Sequence, residues 1–306
     1  MNKVTILGSL NVDTILRIKR FPKPGETLPL IGKSIAGGGK GANQAIAAAR
    51  AGAHTTFIGK VGQDQAGDFM VKQLTDSGVD DQFVQHSSEA DTGSAIIMLD
   101  NSSENRILID GGTNQQVTPA DVDLAQSAIA ESDFLIAQFE TPQATTTHAF
   151  ELAHAAKKRT ILNPAPATTE VPAALLKLTD LIIPNETETE TLTGVHVTDE
   201  HSMIKAAEAC QALGVANVII TVGSKGAFWM RGQKHGFVPA YKVNAVDTTA
   251  AGDTFIGALS SVLTTDFSNL AEAVRFANRA SSLAVQKLGA QPSIPTEAAI
   301  LAAERA

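Results

Sequence analysis

The chain has 306 residues, 43% of them hydrophobic and 18% charged, which is enough to bury a large core and excludes disordered and fibrous classes. Its 24 basic and 32 acidic residues leave a formal net charge of −8, which offers no electrostatic footprint to nucleic acid or to an acidic membrane surface. The single cysteine, Cys210, excludes an internal disulfide, and with Ala206, Ala207 and Leu213 nearby it reads as a packed helix position in a protein of the reducing cytoplasm. The first residues read as a strand rather than a signal peptide, and no run approaches the roughly 18 apolar residues of a membrane span.

In chain order, residues 4–7 predict a short buried strand, and 55–58, 134–137, 160–162, 181–183 and 218–221 repeat the type. Helical patterns lie between most of them, at 45–51, 64–76, 142–158 and 200–213. This alternation predicts an α/β fold: a mostly parallel central sheet, Rossmann-like, with helices on both faces and ligands beyond the carboxyl ends of its strands. Two stretches break the rhythm. Residues 14–35 contain the turn Pro22-Lys-Pro-Gly25, and 92–109 carry polar Asp100-Asn-Ser-Ser-Glu-Asn105 between two apolar runs. Both predict strand pairs outside the main sheet, inserted at about 12–36 and 92–110 into one domain spanning 1–306.

Two segments carry the chemistry. Asp247-Thr-Thr-Ala-Ala-Gly-Asp253-Thr-Phe places a carboxylate behind Ala250, Ala251 and Gly252, where the apolar spacing of Phe255, Ile256, Leu259 and Val262 starts a helix near 251. A helix start offers unpaired N–H groups and a positive dipole end, so a transferring phosphoryl group fits there, with Asp253 able to take a proton from an attacking hydroxyl. A plain N-cap role for the aspartate is the alternative. The second segment, Gly37-Gly-Gly-Lys-Gly-Ala-Asn43, is no P-loop, because Gly41 follows Lys40 and Ser34 stands five positions before Gly39. It matches G-x-G-x-x-A, yet that dinucleotide pattern belongs directly after the first strand, which leaves an NAD-linked oxidoreductase as a lesser alternative. So many glycines suggest a close approach of backbone to a ligand.

Together the two segments resemble the ribokinase-like family of sugar kinases. Further matches run in order through Gly8-Ser-Leu-Asn-Val-Asp13, Asn163-Pro-Ala-Pro-Ala167, Pro184-Asn-Glu-Thr-Glu188, Thr221-Val-Gly-Ser-Lys-Gly226 and Gly289-Ala-Gln-Pro-Ser293. The resemblance implies a ribokinase-like fold whose extra strands form a small β-sheet lid, with paired protomers packing lid on lid as a homodimer. On the sugar side it implies Asn11, Val12, Asp13, Gly39, Lys40, Gly41, Ala42, Asn43, Glu140 and the base Asp253. Carboxylates and amides suit the vicinal hydroxyls of a neutral sugar, whereas a phosphosugar would call for more basic residues than Lys40 alone.

On the nucleotide side the resemblance implies ATP held by Asn185, Thr221, Val222, Gly223, Ser224, Lys225, Gly226, Gly252, Asp253 and Asn278, with Glu188 orienting Mg²⁺ through water. Taken alone, Asn278 could equally be surface. Asp247, Thr249, Ala284, Lys287, Gly289 and Ser293 match positions that hold a monovalent cation such as K⁺ through carbonyl oxygens, Lys287 by its backbone only. Two departures stand out: Leu288 follows Lys287 where a second basic residue is common, and Gly37 replaces a larger residue. The implied reaction is transfer of the ATP γ-phosphoryl group to the 5-hydroxyl of D-ribose. Alternatives are 2-deoxyribose, a nucleoside or another neutral sugar as acceptor, or a sugar-binding regulator without catalysis.

Overall fold

The computed structural model describes residues 1–101 and 104–304; Ser102 and Ser103 of the 100–105 connection and the last two residues of the predicted 1–306 span lie outside the described residues. The strands are β1 (Lys3–Leu7), β2 (Asn11–Arg17), β3 (Gly32–Gly38), β4 (His54–Gly62), β5 (Val79–Ser87), β6 (Gly93–Leu99), β7 (Asn105–Asp110), β8 (Phe134–Ala137), β9 (Arg159–Leu162), β10 (Leu181–Ile182), β11 (Asn217–Val222), β12 (Gly226–Arg231) and β13 (Lys234–Pro239). The helices are α1 (Lys40–Arg50), α2 (Gln65–Asp76), α3 (Pro119–Leu124), α4 (Gln126–Glu131), α5 (Gln143–Ala155), α6 (Ala173–Lys177), α7 (Glu186–Thr193), α8 (Glu200–Ala212), α9 (Ala251–Val262), α10 (Leu270–Ala284), α11 (Ala290–Ser293) and α12 (Glu297–Glu304).

Nine strands form the main sheet in the order β13-β12-β11-β10-β9-β8-β1-β4-β5, parallel from β5 to β11. Alternation along β1 shows why both faces are covered: Val4 and Ile6 pack with α1, α2, α9 and α10, while Leu7 turns to the layer containing α5, α6 and α8. At the edge, β12 is antiparallel to both β11 and β13, and this hairpin was not legible as strand, since only a three-residue 3-10 turn, Gly223–Lys225, and no α-helix separates β11 from β12. The edge strand β5 was also missed. Its polar residues face solvent and break the apolar run that marks a buried parallel strand.

The two rhythm-breaking stretches form a separate four-stranded sheet, β3-β2-β6-β7. Each supplies an antiparallel pair in the small sheet or one side of it: β2 with β3, and β6 with β7, joined by parallel pairing of β2 with β6. Register aligns Ile35, Thr14, Ile96 and Leu108 in one row across all four strands. Ile35, Ile96 and Leu108 are 60%, 41% and 61% exposed, so the row forms an apolar outer face.

Candidate active site

The carboxyl ends of the parallel strands and the first turns of α1, α7 and α9 converge on a cleft of about 220 Å³, lined by Lys40, Asn163, Asn185, Glu188, Thr221, Thr248 and residues 250–253. A larger, open hollow of about 420 Å³ lies at the opposite sheet end beside Lys3, His54, Asp80 and Glu131, and no residue expected to be functional lines it.

Asp253 sits in the first turn of α9 and is buried. Asn43 Nδ2 donates to its Oδ2 and Gln44 Nε2 to its Oδ1, both at 3.0 Å. Burial raises the Asp253 carboxyl above its ordinary value and Glu140 adds to the rise, while Lys40 and the two amide bonds oppose it. Ala250, just before the helix, adopts the left-handed conformation with φ 59°, unfavourable for a residue with a Cβ by about 1–2 kcal/mol. It sets the turn that opens α9. The Ala251 N–H bonds the Thr248 carbonyl at 3.2 Å, which removes it from the set of anion donors expected from the sequence. A Cβ at Gly252 would meet no protein atom within 4 Å, so the glycine leaves the helix start open to the cleft.

The glycine-rich segment has a different cause from the one expected. A Cβ at Gly41 would stand 2.6 Å from Gly8 Cα, one at Gly39 2.8 Å from the Ser9 carbonyl oxygen, one at Gly38 2.4 Å from Asp13 Oδ2, and one at Gly37 2.2 Å from Gln291 Oε1. Backbone atoms therefore require Gly39 and Gly41, while Gly37 and Gly38 face the ends of the Gln291 and Asp13 side chains. Helix α1 begins at Lys40, earlier than predicted, because Gly41 presses its first turn onto the β1 loop. Its N-cap, Gly39, has no side chain to offer, and Glu140 caps from outside: Oε2 accepts the Lys40 N–H at 2.9 Å and the Ser9 hydroxyl.

Asp13, on β2, is raised to about 6, first by burial and then by Glu140. Burial opposes the charge of Lys40, but Asp253, Glu140 and Glu188 together outweigh it and hold the ammonium above its ordinary value. Asn11 is buried and accepts a 2.7 Å bond from Asn114 Nδ2; Val12 packs against the main core. The Ala42 N–H holds the Ser9 carbonyl at 3.0 Å. Of the expected sugar-side residues Lys40 and Asp253 line the cleft; Asn43 is tied to it by its bond to Asp253, and Asn11, Asp13 and Glu140 lie outside its lining.

Asn185 caps α7 and forms a reciprocal capping box with Glu188, whose Oε2 accepts the Asn185 N–H at 2.9 Å. Glu188 is buried and its carboxyl raised, mainly by burial. Among the described residues no cluster of three or more His, Cys, Asp or Glu could cage a metal ion. Glu188 with Asp253 across the cleft suits Mg²⁺, which keeps water and takes phosphate oxygens with one or two carboxylates.

Of the other expected nucleotide residues, Val222, Gly223, Ser224, Lys225, Gly226 and Asn278 do not line the cleft. Gly226 is needed at φ 131° because a Cβ would meet the Val238 carbonyl oxygen at 2.2 Å. Asn278 is buried rather than on the surface, and its Nδ2 donates to the Val238 and Pro239 carbonyls at 3.0 and 3.3 Å. That side chain therefore ties α10 to the end of β13.

Of the expected cation residues, Asp247, Thr249 and Gly289 are drawn together by hydrogen bonds. Asp247 Oδ2 accepts the Gly289 N–H at 2.8 Å, Oδ1 accepts the Thr249 N–H and hydroxyl at 2.9 and 2.6 Å, and the Asp247 N–H reaches the Val285 carbonyl at 3.1 Å. Thr249 and Gly289 hold the Asp247 carboxyl below its ordinary value, outweighing burial. Lys287 N–H bonds the Ala284 carbonyl at 3.0 Å, and the buried Ser293 hydroxyl bonds the Ala290 carbonyl at 2.7 Å. Two carbonyl-bearing turns with one ionised carboxylate have the donor chemistry of a hard monovalent cation.

A profile of the pfkB family of carbohydrate kinases matches residues 1–297. The chain belongs to this family. It is 48% identical over 295 residues to a ribokinase of Staphylococcus aureus (strain COL), covering 96% of this chain and 97% of that one. It is also 48% identical over 302 residues to the bifunctional ribokinase/ribose-5-phosphate isomerase A of Fructilactobacillus sanfranciscensis, where 98% of this chain spans 56% of that protein. The solved structure of Arabidopsis thaliana ribokinase complexed with ribose and ATP is 32% identical, covers 98% of each chain and superimposes with a TM-score of 0.93.

Sequence reading missed Ser9, Gln44, Gln138 and Thr248 in this pfkB fold. Gln44 follows Asn43 directly and could have been flagged as a polar residue in an otherwise alanine-rich helix. Gln138 and Ser9 carry no spacing signal, since each lies in a loop after a short strand.

Proposed function

We propose that the protein transfers the γ-phosphoryl group of ATP to the 5-hydroxyl of D-ribose, giving D-ribose 5-phosphate and ADP. The observation that carries this is the buried Asp253 carboxylate, held by two amide donors beside an open helix start. The near-complete overlap with chains named ribokinase supports ribose as the acceptor.

Asp253 takes the proton of the 5-hydroxyl as its oxygen bonds to the γ-phosphorus. The bond from that phosphorus to the β–γ bridging oxygen breaks, and its electron pair leaves with ADP. The Gly252 and Asp253 N–H groups with the α9 dipole stabilise charge on the phosphoryl oxygens. Mg²⁺ would be oriented by Glu188 and would neutralise phosphate charge. Asn11, Asp13, Asn43 and Glu140 hold the sugar hydroxyls, and Lys40 balances the carboxylates around them. Asp247, Thr249, Ala284, Lys287, Gly289 and Ser293 would hold K⁺ and so stiffen the turn that precedes the anion cradle. Residues 221–226 and the Asn278 region form the nucleotide side.

The small sheet acts as a lid over the sugar that excludes water. We assign the active form as a homodimer joined by these sheets. Residues 106–110 of edge strand β7 are exposed, and Ile107, Leu108 and Ile109 put apolar surface on both sides of it, a feature that calls for cover. The single thiol, Cys210, is buried and pushed up to about 12, consistent with a cytoplasmic enzyme.

The test is ADP release by purified protein with ATP, Mg²⁺ and K⁺, comparing D-ribose with 2-deoxyribose, adenosine, fructose and fructose 6-phosphate. Strong preference for ribose is expected. Preference for another acceptor would overturn the sugar assignment, and no turnover with any of them would favour a binding protein.

A further inference from the structure

Beneath Asp253 lies a chain of side-chain amides that the reaction as written does not use. Gln44, Gln138 and Asn163 are 0%, 1% and 6% exposed. Gln138 Nε2 donates to Gln44 Oε1 at 2.7 Å. Gln44 Nε2 donates both to Asp253 Oδ1 at 3.0 Å and to Asn163 Oδ1 at 3.2 Å, and Asn163 Nδ2 donates to the Ile183 carbonyl at 3.0 Å. The polarity of this chain is fixed at both ends, because a backbone carbonyl and a carboxylate only accept. Ile183 forces Asn163 to turn its nitrogen away from Gln44, so Asn163 offers Gln44 an oxygen. Asp253 likewise demands the nitrogen of Gln44, and Gln138 supplies the donor for the Gln44 oxygen that remains.

We propose that Gln44 is a positioning residue for the general base, fixing the plane of the Asp253 carboxylate and favouring its ionised form through an amide relay that Gln138 and Asn163 orient. This rests on the assignment of Asp253 as the base. A carboxylate taken wholly out of water needs such donors to remain a base near neutral pH. The relay also fixes a distance. Ile183 ends the segment that leads to Asn185 and Glu188, and Asn163 lines the same cleft as Glu188. The proton acceptor and the acid on the phosphate side are thereby set against one another by a single buried amide, Asn163.

The charged groups facing Asp253 are Lys40 from α1, Glu140 from the loop after β8 and Glu188 from α7. None of them changes when Gln44 is replaced by methionine, a side chain of similar length without the donor. The experiment measures kcat and KM for sugar and ATP across about pH 5 to 9 for wild type, Gln44→Met and Gln138→Met. In Gln44→Met, kcat is expected to fall about 10- to 100-fold with both KM values within about threefold, and the acid limb of the kcat profile to move to higher pH. Gln138→Met keeps the direct donor but frees the amide to rotate, so a smaller fall with the same direction of shift is expected.

A fall in kcat with an unmoved acid limb, or a change confined to KM, would overturn the proposal and leave the amides a packing role. Should Gln44→Met not fold, Gln138→Met decides alone by the same criteria. If wild type prefers another acceptor, the profiles are taken with that acceptor; the ribose assignment then fails while the shift of the limb still tests the relay.

Discussion

Asn43 and Asp253 lie 210 positions apart in sequence, and their side chains are joined by a 3.0 Å hydrogen bond. The bond links the first turns of α1 and α9. These helices pack closely because Gly257 has no side chain; a Cβ there would fall 2.5 Å from Ala47 Cβ. The glycine-rich segment and the aspartate segment are thus one construction, and a change in either is felt by the other.

Replacing Asp253 by asparagine keeps the shape but removes the proton acceptor. The expected result is a kcat lower by about two to four orders of magnitude with sugar KM within a few-fold of wild type. Steady-state kinetics with D-ribose measure this, and a near-normal kcat would remove Asp253 from the role.

Asp13 should give sugar binding a pH dependence. Its carboxyl is raised to about 6 by burial and by Glu140, and only the ionised form accepts hydroxyl protons with both oxygens. Ribose KM is therefore expected to rise as pH falls through about 6, and Asp13→Asn to raise KM at neutral pH and flatten the dependence. The sign for stability is opposite. A raised carboxyl favours the fold fully below its unfolded value and loses that contribution as pH rises through the folded one, so without sugar Asp13→Asn should stabilise the protein above about pH 6. Ribose KM measured from about pH 5 to 8 checks the first sign, and thermal unfolding without sugar at about pH 5 and pH 8 checks the second.

Gly41→Ala puts a methyl group 2.6 Å from the Gly8 backbone, where no flexible side chain can yield. A loss of about 1–3 kcal/mol in unfolding free energy is expected, even though alanine is the better helix former. Denaturant titration measures it, and an unchanged or raised midpoint would show that the two turns can separate freely.

K⁺ in place of Na⁺ should raise activity several-fold and, without substrates, raise the thermal midpoint if the 247 and 289 turns hold the ion. Asp247→Ala should abolish both responses. Identical rates and midpoints across titrations of the two salts would exclude a specific site.

The outer row of the small sheet offers a test of assembly. Ile96, 41% exposed and flanked in register by Thr14 and Leu108, becomes a buried charge in a sheet-on-sheet dimer when changed to lysine. Light scattering is expected to show a dimer for wild type and a monomer for Ile96→Lys. A wild-type monomer at assay concentrations would remove the dimer.

The parallel strands other than β5 were legible because their apolar runs are short, continuous and separated by helical periods, as at Phe134 to Ala137, where the predicted and observed bounds coincide. Asp253 was legible from the small residues in front of it. Gln44 and Gln138 were not, because their importance lies in hydrogen bonds to partners 209 and 94 positions away. The reason for the glycines was also hidden. Gly37 and Gly38 read as space for a ligand, and only the folded chain brings Gln291 and Asp13 against them.

Glu140 has two employments in the proposed reaction: its Oε2 caps α1 through the Lys40 N–H and the Ser9 hydroxyl, while the same carboxylate is the one proposed to hold a sugar hydroxyl. Anyone re-engineering acceptor preference inherits that constraint. A library randomised at Glu140 will be dominated by variants with a loosened glycine-rich turn, whatever sugar they were meant to admit. Asp13 is the more open point of intervention, since its carboxylate caps no helix and packs beside Gly38, which has no side chain to disturb.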